Sequence, residues 1–178
     1  FALSAADLGG NFLVHVSADE RYKLYVNGRE VSDGPSRGDL LNWKFETLDL
    51  RPYLREGDNV LCAEVWFFGT ARPVAQMTYG ECGFLIQGDT EREDVVNTNG
   101  SWRCLTNEAY SVCRAGSVRG YFAVGPNEQV DMKKFPHGWL GTDFDDSKWK
   151  NAYGQFRAAL KGYPDYGFRQ LTPRTIPQ

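Results

Sequence analysis

Between residues 11 and 49 apolar side chains recur at every second position: Phe12, Val14 and Val16 in "NFLVHVSAD", and again on both arms of "RYKLYVNGREV". A period of two puts these side chains on one face of an extended chain, which demands β-strands with one buried face. The arms of the second stretch meet at Asn27-Gly28, a pair that tolerates two positive φ angles and so forms the type I′ turn of a two-residue hairpin. "SDGPSRGD" (32–39) follows as a loop of tight turns. Strand character resumes in "NWKFETLDL", "RPYLREGDN" reads as one helical turn ended at Gly57, and "NVLCAEVWFF" reads as the longest apolar strand of the core.

Short candidates fill the rest: "GFLIQGD" (83–89), "EDVVNT" (93–98), "SWRCL" (101–105) and "VRGYFAVG" (118–125), each bounded by Gly, Asn or Asp. Many short strands at this spacing predict an all-β sandwich. "DDSKWKNAYGQFRAALKG" has room for one short helix before Gly162, and the Pro- and Gly-rich tail "YPDYGFRQLTPRTIPQ" reads as an extended segment over the surface or onward to another domain. "NTNGSW" and "DFDDSKW" echo one another as polar turns that deliver a Trp under a sheet.

At 178 residues the chain suffices for one core, and a domain near this size buries roughly 70% of its unfolded surface. Twenty basic against 23 acidic side chains, with no basic run, exclude the electrostatic footprint of a nucleic-acid binder and argue against an anionic membrane as partner. No stretch reaches the roughly 20 apolar residues of a membrane span. The N-terminus lacks a signal-peptide pattern, and a start on Phe1 fits a piece of something longer. Four cysteines (Cys62, Cys82, Cys104, Cys113) allow three pairings but no CxxC spacing; free thiols are expected, with Cys104–Cys113 as the pair if a bridge exists.

Chemistry is sparse. His15 and His137 have no neighbours at metal-ligand spacing, and no nucleophile elbow, phosphate loop or dinucleotide motif is present, so neither catalytic nor metal residues are expected. Asp145-Asp146, Asp19-Glu20 and Glu91/Glu93/Asp94 are adjacent in sequence, a poor arrangement for the two facing carboxylates of glycoside hydrolysis, and read as solvated turn residues. The best candidate for ligand contact is "GPSRGDLLNW" (34–43), where Arg37, Asp39, Asn42 and Trp43 supply donors, acceptors and a flat apolar face of the kind that recognises sugars. The competing expectation is that Arg37 and Asp39 pair with each other or with the hairpin while Trp43 packs inward.

"VHVSADERYKLYVNGREVSDGPSRGD", "WKFETLDLRPYLREGDNVLCAEVW", "FDDSKW" and "LTPRTIP" together resemble, from Phe12 to Pro177, the N-terminal β-sandwich of bacterial α-L-rhamnosidases and related glycoside hydrolases. The resemblance implies a jelly-roll, galactose-binding-like β-sandwich over residues 1–160, with 161–178 as an extended linker toward a catalytic domain that this chain lacks. In such enzymes an α-helical barrel carries the catalytic carboxylates, so this chain is expected to be a non-catalytic accessory module whose partner is the catalytic domain of its own parent chain. Carbohydrate contact, or an autonomous L-rhamnose-binding module, is the alternative. Some relatives bind L-rhamnose with the help of calcium, but no calcium ligand set matches here, and no other cofactor is implied. The parent is expected in the periplasm or outside the cell, a location these residues do not themselves encode.

Overall fold

The computed structural model describes residues 1–72, 75–113, 127–155, 157–163 and 169–177. Its strands are β1 (Ala2–Leu3), β2 (Leu13–Asp19), β3 (Arg21–Val26), β4 (Arg29–Gly34), β5 (Trp43–Asp49), β6 (Gly57–Asp58), β7 (Leu61–Trp66), β8 (Gly83–Gly88), β9 (Arg103–Cys104), β10 (Tyr110–Cys113), β11 (Asn127–Val130), β12 (Lys150–Asn151), β13 (Ala158–Leu160) and β14 (Arg169–Pro173). A five-stranded sheet in the order β13-β14-β5-β2-β8 and a three-stranded sheet β4-β3-β7 share one core; three two-stranded ribbons, β1-β6, β9-β12 and β10-β11, complete the described strands. This is the all-β sandwich that the alternation predicts.

Both sheets feed the core by the same two-residue period. Val14, Val16 and Ala18 from β2 face Tyr22, Leu24 and Val26 from β3, with Ile86 from β8, and all seven are buried. Fully burying an aliphatic side chain of this size contributes about 1.5–3 kcal/mol, so this shared layer is the main source of stability. The hairpin forms as expected: Asn27 and Gly28 take φ of 49° and 81°, and Val26 pairs with Arg29. The register then slips between Leu24 and Tyr25, leaving Val31 as an extra residue, and Ser32 turns inward with its hydroxyl 3.3 Å from that of Tyr22.

Several local expectations are corrected. "EDVVNT" contributes to a 3-10 helix over Glu91–Val96 rather than to a strand, because Thr90 and Glu93 form a capping box at its start. The stretch after Asp145 holds β12 and β13 and no helix among its described residues. Within the tail, Arg169–Pro173 is β14, hydrogen-bonded in parallel to both β5 and β13, so this part of the chain is inside the sheet rather than strung out as a linker. The candidate strand 118–125 lies outside the described residues. All four cysteines are free.

Candidate carbohydrate-facing cleft

The loop 34–43 closes on itself before it meets anything else. Gly38 is obligatory there, since a Cβ at that position would lie 2.1 Å from the Asn42 carbonyl oxygen. Asp39 is the acceptor that shapes the turn: its carboxylate takes the Leu41 N–H at 2.8 Å and the Asn42 side-chain amide at 2.9 and 3.0 Å. Those bonds, Asn42 first, hold the Asp39 carboxyl below its ordinary value. Asn42 in turn accepts a hydrogen bond from the Lys161 ammonium.

Arg37 reaches away from Asp39 and donates to the Ala75 carbonyl at 2.9 Å. Trp43 is only 5% exposed; its indole N–H donates to the Ala18 carbonyl at 3.2 Å and its ring packs against Tyr79, centroids 4.9 Å apart. The four residues therefore neighbour one another along the loop, yet Trp43 shows no open face on which a sugar ring could stack. Most of their polar groups hold the loop.

Tyr79, which no motif pointed to, organises this end of the molecule. Its hydroxyl donates to the Leu40 carbonyl, its backbone N–H to Asp19 Oδ2 at 2.8 Å, and the Arg169 guanidinium sits 4.6 Å above its ring. Arg169 also approaches Asp19 Oδ2 at 3.7 Å.

Beside this cluster lies an open cleft of about 670 Å³, walled by the start of β3, the loop 34–38, Trp43 and Lys44, and the segments 66–68 and 76–77. Glu20 lines it. Asp19 and Glu20 are 3% and 1% exposed, a correction to their expected place in a solvated turn. Glu20 accepts the Phe68 N–H at 3.2 Å through one oxygen, its other oxygen has no partner among the described residues, and burial pushes its pKa up. A desolvated carboxyl in a cleft is a feature of binding sites and of catalytic ones alike. Asp19 Oδ1 beside it likewise has no partner among the described residues, and no group of three or more His, Cys, Asp or Glu side chains among the described residues is placed to hold a metal.

His15 joins Thr47 Oγ1 at 3.0 Å and Asp89 Oδ1 at 3.1 Å, a Thr-His-Asp sequence of contacts. None of the three residues lines the cleft. His137 sits in the loop after Pro136 with Nε2 2.8 Å from the Met132 carbonyl oxygen.

Fold and cleft together define an all-β sandwich domain with an open cleft beside the loop 34–43. Residues 11–161 match the model of the alpha-L-rhamnosidase N-terminal domain, and the chain belongs to that family. Among solved structures it is similar to the GH78 family rhamnosidase of Bacillus sp. GL1, at TM-score 0.69 and 24% identity over 98% of this chain and 17% of that one. It is also similar to the alpha-L-rhamnosidase from Dictyoglumus thermophilum, at TM-score 0.58 and 21% identity over 86% of this chain and 16% of that one. The chain thus spans about one-sixth of the length of each of these enzymes. No curated protein matches it.

Proposed function

We propose that this domain is a non-catalytic accessory module of an α-L-rhamnosidase-like glycoside hydrolase, supporting the catalytic domain of its own parent chain. The observation that carries this proposal is family membership as an N-terminal domain, with a fold that matches about one-sixth of each rhamnosidase it resembles. The engagement of Arg37, Asp39, Asn42 and Trp43 in internal contacts supports it. The pairing of β14 with β5 and β13 supports a sandwich that reaches at least to Pro173, with any linker after it. The assay is direct: the purified chain is expected to release nothing from an aryl α-L-rhamnoside, and turnover that survives removal of contaminating hydrolases would end the proposal.

A second reading, carbohydrate contact at the open end, is favoured by the cleft, where Arg37 borders a partly apolar wall beside the unpartnered Glu20 oxygen. Titration with L-rhamnose and a small glycan panel, with and without calcium, followed by tryptophan fluorescence, tests it. Saturable change at millimolar sugar supports the second reading; a flat trace leaves support of the catalytic domain as the whole role.

A further inference from the structure

We infer that the cleft takes a sugar bearing a carboxylate, with that carboxylate on Arg21 and Arg37 and the ring against Trp66; this inference rests on the reading of carbohydrate contact given above. Tyr22, Leu24 and Val26 point into the core, which turns Arg21 and Lys23 to the opposite face of β3. Pairing of β3 with β7 sets Arg21 directly opposite Trp66, so the two side chains stand side by side on that outer face, and both line the cleft. Arg37 joins them from the loop. Arg21 Nε donates to Gln76 Oε1 at 3.0 Å and Arg37 Nη2 to the Ala75 carbonyl at 2.9 Å, so two guanidinium groups are tethered to successive residues of one wall.

Neither arginine is neutralised. Among the described residues neither forms an ion pair, and no group accepts a hydrogen bond from the two terminal nitrogens of Arg21 or from Nε and Nη1 of Arg37. The other two cations of the cleft are already engaged: Lys23 lies opposite Asp33 and meets Glu30 at 3.2 Å, and Lys44 donates to the Pro173 carbonyl at 3.2 Å. Glu20 is 1% exposed, accepts the Phe68 N–H and is pushed by burial toward its neutral form. What remains is two guanidinium charges against the exposed carboxylate of Glu128, which comes from β11 and pairs with neither. The terminal nitrogens of Arg21 form a planar fork that matches the two oxygens of a carboxylate, and the half-buried indole beside it offers an apolar face to the C–H side of a pyranose. A neutral sugar uses the indole and leaves the fork to water; a uronate uses both.

Calorimetric titration of the 178-residue chain with trigalacturonic acid, with the methyl ester of the same trisaccharide and with L-rhamnose tests this. The acid is expected to bind about tenfold more tightly than the ester, which keeps the rings and loses the charge, and the gap is expected to close between about 0.05 and about 0.5 M salt. Arg21→Gln and Arg37→Gln are each expected to weaken binding of the acid several-fold and to leave the ester and the melting temperature unchanged. Equal affinity of the unsubstituted chain for acid and ester overturns the inference without recourse to any variant, and leaves carbohydrate contact standing. Acid binding that persists undiminished when both arginines are replaced overturns it too. Absence of heat with all of these sugars is a separate result, which removes carbohydrate contact and this inference with it.

Discussion

At the scale of single residues, polar side chains hold together what the hydrophobic pattern only aligns. Asn27 supplies the positive φ of the hairpin turn, and its side chain donates to Tyr53 O and Asn59 Oδ1 while accepting the Val60 N–H. Asn59, 3% exposed, in turn donates to the Arg55 and Gly57 carbonyls and accepts the Arg55 N–H. Asn59→Ala strands several of these groups out of reach of water, and is expected to cost about 2–3 kcal/mol, read as a lower urea midpoint at unchanged slope. The turn was legible in Asn-Gly; the partner Asn59 was not, because nothing local marks a side chain that bonds 32 residues away.

Two buried glutamates are expected to respond to pH in opposite senses. Burial alone would raise Glu93, but hydrogen bonds from Thr90 and Arg92 outweigh it and leave its pKa lowered. Its stabilising contribution is therefore present above the ordinary carboxylate value of about 4.3 and is lost as pH falls through the lower folded value. Glu20 is raised by burial, so its charged form costs stability above the raised value, and the cost vanishes once both states are protonated. Thermal melts from pH 7 to pH 3 should show Glu93→Gln less stable than the parent at pH 7 and Glu20→Gln more stable, each gap narrowing as the medium is acidified. Shifts of one sign for both at pH 7 would contradict these assignments.

At the scale of elements, the strongest periodic strands, β2, β3, β5 and β8, fall where alternation places them. The miss at 93–98 has a physical cause. "EDVVNT" carries two valines and a strand-like composition, but Thr90 and Glu93 stand three apart, and their reciprocal bonds to backbone N–H groups start a helical turn before those valines can pair. That turn then lies on β8, fixed by Arg92, which donates to the Gly9 carbonyl at 2.7 Å and to Asn11. Gly88→Ala puts a methyl into the Glu93 backbone and side chain, and is expected to destabilise by about 1–3 kcal/mol as the turn is pushed off the strand. Gly83→Ala on the same strand, with open space around its Cβ, is the control and should change the melting temperature little. The loop 34–43 was legible as a cluster of polar groups, and Gly38 as a tight turn. That Trp43 faces inward depends on Tyr79 and Ala18, 36 and 25 residues away in sequence, contacts no window around the loop contains.

At the scale of the whole molecule, the decisive unforeseen feature is parallel pairing between residues 43–45 and 171–173, across nearly the full chain. Alternation cannot reveal it: "RQLTP" is short, ends in proline and follows a run of Gly and Pro, and such distant pairing is set by topology, not local preference. β14 nonetheless holds two other strands in place, and just beyond it Arg174 Nη1 meets the buried Glu46 carboxylate at 3.3 Å while its N–H donates to the Phe45 carbonyl. Removing residues 161–178 strips the edge from β5, leaves β13 without its pairing partner and leaves Glu46 without its cation; breaking a buried pair of this kind alone costs about 3–5 kcal/mol. A chain ending at Leu160 is therefore expected to show no cooperative thermal unfolding, whereas one ending at Arg174 retains β14 and the ion pair and should melt within a few degrees of the full chain. If the shorter chain melts as the longer one does, the tail is a linker after all, and β14 has no part in stabilising the sandwich.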